Sequence, residues 1–540
     1  MKCARRDGSL RLSIGGALFP ALRVVVAQLT SGVRSYAAAV QESAISATAH
    51  HTAILRPGET CWRLAHAGRM ALIVDAADYF RHLRSAIMNA RECVLLIGWD
   101  FDTRIELDPN CQDGEAPGRL GRFLSWIVEQ RPELHIYVLK WDLGALKTLG
   151  RGTMPFTILD WMAHKRVHLK LDAAHPIGAA HHQKIAVIDD SIAFCGGIDI
   201  TAARWDTPEH RDKDERRVLP MTRGLYGPWH DSTAAVDGDA ARALGLLARD
   251  RWKAATGEEI APARGNVELW PDGLAPTFRN IDVGIARTAP EYGSCKEVRE
   301  IEALYLASIA AARRSVYIES QYFAARRISE AIAARLSEPN GPEFLIVNPE
   351  SASGWLEEAV MGPARARLLR FIAASDKYRR FRMVTPFTQE GTPIYVHSKV
   401  LIVDDTLLRI GSSNLNNRSM GFDTECDLAV EAREGNDVLR RAIADFRNRL
   451  IAEHLGIEPH TVTEAIAGQN GSILQAVDAL RCARLRDLSP PEAPCWEKPL
   501  RGEELLDPER PASVWAAIRR RTPDFSRAWH PPWRRTSPSV

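Results

Sequence analysis

The sequence predicts an α/β protein made of two similar halves. Three observations carry this. An order of helix, strand, helix, strand and hairpin recurs along the chain. A His-x-Lys-x4-Asp pattern occurs twice, as His182-Gln183-Lys184…Asp189 and His397-Ser398-Lys399…Asp404. The two motif histidines, at 182 and 397, stand 215 residues apart, about the length of one large α/β domain.

In chain order, residues 1–53 show little helix or strand periodicity and read as a poorly ordered leader. Lys2, Arg5, Arg6 and Arg11 precede a mildly apolar stretch, Leu12 to Leu29, which Pro20 and Arg23 interrupt. That stretch is too broken to span a bilayer, and no later segment has 18 uninterrupted apolar residues, so no transmembrane helix is expected. Residues 54–255 form the first predicted domain. An amphipathic run from Asp78 to Ala90, with Tyr79, Leu83, Ile87 and Met88 on one face, leads into the apolar strand Cys93–Ile97. Leu134–Leu139 is a second strand, and Lys184–Ile188 with Ile192–Phe194 makes a hairpin. The polar stretch Thr256 to Gly265 separates the halves. Residues 266–453 repeat the order: a helix over Val298–Arg313, strands at Ser315–Ile318 and Phe344–Val347, and a hairpin of Lys399–Val403 with Leu407–Ile410. Residues 454–540 are a helical segment and a tail. Val462 to Leu485 is helical with a break between Gly468 and Gly471. The Pro- and Arg-rich end, including Ser526–Arg535, reads as a surface tail, with a membrane-surface contact through Arg and Trp as the other reading.

Bulk composition narrows the function. Of 540 residues, 45% are hydrophobic and 26% charged, the balance of a globular protein. Lys plus Arg is 70 and Asp plus Glu 68, a net charge of +2, which gives no global attraction for nucleic acid. The nine cysteines are odd in number and scattered, without CxxC or Cys/His metal spacing. This argues against a disulfide framework or a structural zinc and leans towards a reducing compartment.

The chemistry resides in the paired motifs. In an extended strand, residues i and i+2 share a face, so each motif presents an imidazole and an ammonium together. The residues after each lysine are apolar, as for a strand inside a central sheet. Both motifs lead, at the same offset, to Gly-small-x-polar: Gly196-Gly197-Ile198-Asp199 and Gly411-Ser412-Ser413-Asn414. His182 and His397 suit nucleophile and acid/base roles, since an unperturbed imidazole titrates near pH ~6.5. Lys184 and Lys399 would offset the negative charge of an anionic substrate, with Asn414 and Asp199 or its backbone nearby. Glycines would let the backbone approach such an anion.

These features resemble the phospholipase D superfamily, whose mark is paired HxKxxxxD motifs with a downstream Gly-Gly or Gly-Ser. The resemblance runs from about Leu72 to Glu431 and is closest to the larger enzymes acting on glycerophospholipids. Phe194–Asp199, Arg204-Trp-Asp206, Pro228-Trp-His-Asp231, Tyr317–Gln321 and Gly411–Ser419 carry it. It implies two α/β domains, mixed sheets flanked by helices, packed about a pseudo-twofold axis with the active site at their interface. It also implies a phosphohistidine intermediate, His182 as nucleophile and His397 as acid/base, and no metal or other cofactor in the chemistry. Asp189 and Asp404 would orient histidine or brace the fold. Glu425 resembles the family's acid that hydrogen-bonds a catalytic histidine, with Glu319 as its partner in the other half. His230 is read as lining the site or as structural, Trp205 and Trp229 as shaping a cleft or as packing. His181 faces away from the catalytic pair, and the charge run Glu209–Arg217 reads as a solvated loop.

The implied activity is hydrolysis of a glycerophospholipid to phosphatidic acid and a free headgroup. The partners expected are a phospholipid at a membrane surface and no nucleic acid, with a monomer because one chain holds both motifs. Phosphatidyl transfer of the cardiolipin-synthase kind, a nuclease of the same superfamily, and an inactive membrane-binding scaffold are the competing readings. Headgroup and acyl preference stay open, as does the compartment (cytoplasmic, peripheral or secreted).

Overall fold

A computed structural model of the chain describes residues 53–109, 116–142, 161, 164–264, 268–351, 355–488, 507, 508 and 510. The first half contributes strands β1 (Arg63–Val74), β2 (Cys93–Gly98), β3 (His135–Trp141), β4 (Val167–Asp172), β5 (Ile185–Ile188), β6 (Ile192–Gly196), β7 (Trp229–His230) and β8 (Ser232–Asp237). The second contributes β9 (Phe278–Ala289), β10 (Val298–Arg299), β11 (Ser315–Glu319), β12 (Glu343–Val347), β13 (Phe381–Pro386), β14 (Tyr395–Val396), β15 (Val400–Val403), β16 (Leu407–Gly411), β17 (Glu425–Glu431) and β18 (Leu485–Asp487). The principal helices are α1 (Ala76–Met88), α2 (Leu120–Gln130), α3 (Gly238–Thr256), α4 (Glu300–Ala311), α5 (Arg326–Leu336), α6 (Trp355–Ser375), α7 (Asn417–Gly421), α8 (Asp437–Leu455), α9 (Pro459–Gly468) and α10 (Ile473–Leu480).

Among the described residues, sixteen strands form one mixed sheet, ordered β18-β13-β12-β11-β15-β16-β17-β9-β1-β8-β6-β5-β2-β3-β4, with β10 on β9. The order is nearly palindromic: β1, β8, β6, β5, β2 and β3 mirror β9, β17, β16, β15, β11 and β12. The halves therefore share a single sheet, joined at the antiparallel pair β1–β9, where Leu64 faces Gly284 and Ala65 faces Val283. In each half the outer strands are parallel, β2–β3–β4 and β11–β12–β13. Parallel neighbours need a crossover, supplied by α2 between β2 and β3, α5 between β11 and β12, and α6 between β12 and β13. The motif strands lie inside the sheet, which is why Ile185–Ile188 and Val400–Val403 are unbroken apolar runs, each fully buried. One core runs through both halves, with Leu95, Ile185 and Leu244 in the same cluster as Ile402, Leu428 and Leu450.

Each motif ends in a tight hairpin turn. Asp189 and Asp190 have φ of 49° and 51°, Asp404 and Asp405 of 52° and 58°. Two successive left-handed residues make a type I′ turn, which aspartate tolerates.

The sequence-derived elements form with shifted ends. The helix expected from Val298 starts at Glu300, because Val298 and Arg299 pair with β9. The Val462–Leu485 stretch breaks at the glycines into α9 and α10, and its last residue opens the edge strand β18. The charge run Glu209–Arg217 corrects the expectation of a solvated loop: His210 and Arg217 are each only 1% exposed. No helix among the described residues is long and apolar enough to cross a membrane. The leader up to Thr52 and the Ser526–Arg535 tail lie outside the described residues.

Candidate active site

Each motif is anchored to the opposite half. β14, just before His397, pairs in parallel with β7, and the His397 amide donates to the His230 carbonyl at 2.8 Å. In the mirror position His181 bridges Thr424, and the His182 amide donates to the Thr424 carbonyl at 3.0 Å. This register sets each motif histidine beside the carboxylate that follows its backbone partner. His182 Nδ1 lies 3.0 Å from both carboxylate oxygens of Glu425. His397 Nδ1 lies 2.6 Å from Asp231 Oδ2. A carboxylate at Nδ1 fixes the proton there and leaves Nε2 with the lone pair.

The lysines complete the arrangement. Lys184 Nζ donates to the His182 carbonyl at 3.0 Å and pairs with Asp199 Oδ2 at 3.2 Å. Lys399 Nζ donates to the His397 carbonyl. Burial, with Lys184 acting in the same direction against the opposing Asp231, lowers the Lys399 ammonium to about 7. Burial and the two lysines lower His182 to about 3. Burial, Lys399, Arg204, Lys184 and His182 depress His397 well below its ordinary value. Both imidazoles are thus neutral at rest, and each feels charges from the opposite half. Glu425 is pushed up to about 7 by burial, against Lys184 and the hydroxyls of Ser412 and Ser419. Those hydroxyls each donate to it at 2.6 Å. Burial raises Asp231, with Lys399 opposing.

The glycines make room for the acids' strands, a different job from the close phosphate approach expected of them. A Cβ on Gly197 would fall 2.2 Å from Asp231 Oδ1, one on Gly196 2.4 Å from Thr233, and one on Gly411 2.1 Å from Asp427 Oδ1. Asp199 also accepts from the Trp99 amide at 3.1 Å, so it tethers Lys184 and a loop. The Asn414 side-chain oxygen is buried without a hydrogen-bond partner.

Four expected residues sit elsewhere. Asp189 accepts from the amides of Arg91, Glu92 and Cys93 at 2.7–2.9 Å. Asp404 does the same for Arg313, Arg314 and Ser315 at 2.5–2.8 Å. Both lie at the far end of the motif strand from its histidine. Glu319 is not the counterpart of Glu425; it bonds His230 at 3.0 Å and His454 at 2.8 Å. His230 itself points into that second cluster, and only its carbonyl reaches His397. Of the two tryptophans, Trp229 flanks the site, with its ring 5.1 Å from that of His397 and stacked at 4.5 Å on Tyr395. Trp205 lines a separate cleft.

Asp231 is the residue that sequence reasoning passed over, in favour of its neighbour His230. A signal existed. Asp231-Ser-Thr-Ala-Ala-Val236 and Glu425-Cys-Asp-Leu-Ala-Val430 both run acid, three residues, Ala, Val into the mirrored strands β8 and β17. Arg204 was also missed; its guanidinium lies 4.1 Å from the Trp229 ring centre.

Comparison with known proteins places these halves. Residues 86–270 match the family described as "Phospholipase D", and residues 305–449 the one described as "Cardiolipin synthase, PLD-like domain". The chain is 26% identical over 465 residues to "Phospholipase D A" of Dictyostelium discoideum, covering 72% of this chain and 36% of that one. It is 24% identical over 522 residues to "Phospholipase D alpha 1" of Carica papaya, covering 70% of this chain and 64% of that one. It thus spans about a third of the first relative and under two thirds of the second. The fold is similar to that of the phosphatidylserine synthase of Haemophilus influenzae Rd KW20, with a TM-score of 0.50 at 12% identity, covering 76% of this chain and 96% of that one.

Proposed function

The chain belongs to the phospholipase D superfamily, and from that premise we propose that it cleaves the headgroup phosphodiester of a glycerophospholipid, giving phosphatidic acid and a free alcohol. The observation that carries this reading is the crossed pairing, His182 with Glu425 and His397 with Asp231. Two imidazoles, each oriented by an acid from the other half and flanked by a lysine, suit a two-step displacement at phosphorus.

In this reading Nε2 of His182 attacks phosphorus, and His397 gives a proton to the departing headgroup oxygen. A phosphohistidine results. His397 then takes a proton from water as that water attacks phosphorus, which releases phosphatidic acid and restores His182. A bound phosphate offsets Lys184 and Lys399, the cations that depress both imidazoles, so His397 can hold its proton once substrate is present. The protons move between imidazole, alcohol and water, and the chemistry calls on no cofactor. The substrate is taken from a membrane surface by a monomer, since one chain holds both motifs.

The test is headgroup release from mixed phospholipid vesicles. His182→Ala and His397→Ala should each lower turnover on the order of 10³-fold or more. A variant that keeps near wild-type turnover removes that histidine from the mechanism, and turnover of nucleic acid but no lipid overturns the substrate class. The match of residues 305–449 to a cardiolipin-synthase description favours a second reading, phosphatidyl transfer, in which an alcohol replaces water. A competing primary alcohol decides between them by the share of phosphatidyl-alcohol formed.

A further inference from the structure

Behind Asp231 lies a second polar cluster that the phosphodiesterase reading does not use. Asp75 precedes α1, His210 sits in the charge run, His230 ends β7, and Glu453 is on the last turn of α8. Their side chains are between 0% and 4% exposed. His210 Nε2 is 3.2 Å from Glu453 Oε1 and 3.6 Å from Asp75 Oδ2. His230 Nδ1 is 2.7 Å from Glu453 Oε1 and 3.4 Å from Asp75 Oδ1.

We propose that Asp75, His210, His230 and Glu453 form a structural site for a divalent transition ion of the Zn²⁺ class. Two imidazole nitrogens and two carboxylates are a donor set for such an ion, and bonds of roughly 2.0–2.2 Å place tetrahedral ligand atoms about 3.3 Å apart. With one donor atom from each residue, all four lie within 4.8 Å of one another, and both imidazole nitrogens lie within 3.2 Å of Glu453 Oε1. One buried atom of the quartet, Asp75 Oδ2, has no hydrogen-bond partner.

The surrounding groups fit the same reading. His210 Nδ1 is 3.0 Å from Asp206 Oδ2, and His230 Nε2 is 3.0 Å from Glu319 Oε2. A carboxylate on the far nitrogen is how a metal-bound imidazole is oriented. Arg217 braces Asp206 at 3.0 Å, and the Tyr317 hydroxyl braces Glu319 at 2.6 Å. His210 and Glu453 also line a cleft of about 1040 Å³, which gives an ion a route in. The bound ion would tie the two halves together behind the active site. Asp75 Oδ1 accepts from the Asp231 amide at 3.1 Å, next to the acid that holds His397.

The test uses the full chain, with Zn²⁺ alone as the probe. Inductively coupled plasma mass spectrometry of the purified protein should find one transition-ion equivalent per chain. Chelator-stripped protein should rise in Tm by several degrees as Zn²⁺ is titrated back. Asp75→Asn and His210→Gln should lose the ion, and Asp206→Asn should bind Zn²⁺ about 10–100-fold more weakly. Protein that carries no ion and whose Tm ignores Zn²⁺ overturns the proposal and leaves a proton-bonded ion network in its place. That titration decides the matter even where a variant fails to fold, and it reads no lipid turnover.

Discussion

At the residue scale, the site rests on neutral imidazoles beside buried cations. Lys399 is the sharpest case, because its ammonium is lowered to about 7, chiefly by burial. The sign follows directly. The charge is present below that pH and is lost above it, so in the proposed reaction a substrate phosphate would lose one of its two cations as the solution becomes alkaline. The pH profile of kcat/KM, which reports the free enzyme, should therefore fall above about pH 7. Lys399→Arg should move that fall upwards, since a guanidinium keeps its proton, although its different shape lowers the plateau. An unchanged alkaline limb in Lys399→Arg would assign the titration to another group. At this scale the motif histidines and lysines were legible from spacing, because i and i+2 share a strand face. Asp231 was passed over, because its only signal is the faint likeness of Asp231–Val236 to Glu425–Val430, two segments 194 residues apart that only the mirrored strands β8 and β17 set in correspondence.

At the scale of elements, the closing aspartates belong to the hairpins. Asp189 and Asp404 each satisfy three backbone amides at the start of the adjacent strand, and both occupy left-handed positions of the turn. Removing one carboxylate strips the partner from one buried amide, Cys93 or Ser315, and from two part-buried ones, and the buried one left unsatisfied costs about 1–3 kcal/mol. Asp404→Ala should lower Tm markedly while the folded fraction keeps near wild-type kcat. A loss of kcat with Tm preserved would return Asp404 to the chemistry. The apolar motif strands and the helices α1 and α4 were readable from periodicity, which set no bounds for the crossover helices α2, α5 and α6. The seam strands β1 and β9 were not readable, since His66, Gly68, Asp282 and Gly284 interrupt their apolar pattern.

At the scale of the molecule, the site depends on the β1–β9 seam. Val283 is fully buried on β9 and faces Ala65. Val283→Pro removes a donor from a central strand, where proline is not tolerated. Tm should drop and headgroup release should be lost, although every site residue is intact. Normal Tm and turnover in that variant would show that the seam does not hold the halves together.

The sequence by itself determined the duplicated α/β plan and the two His/Lys pairs. These are short-range properties: strand periodicity, apolar runs and a repeated spacing. Glu425 as an acid near a histidine came from the family resemblance and not from any of them. Only the tertiary structure decided which acid serves which histidine. Each pair joins residues from opposite halves, and their contact depends on the parallel bridges of β7 with β14 and of His181 with Thr424. The same holds for the proposed metal ligands. Residues 75, 210, 230 and 453 have no metal spacing in the chain, and the fold alone brings their donor atoms within 4.8 Å of one another.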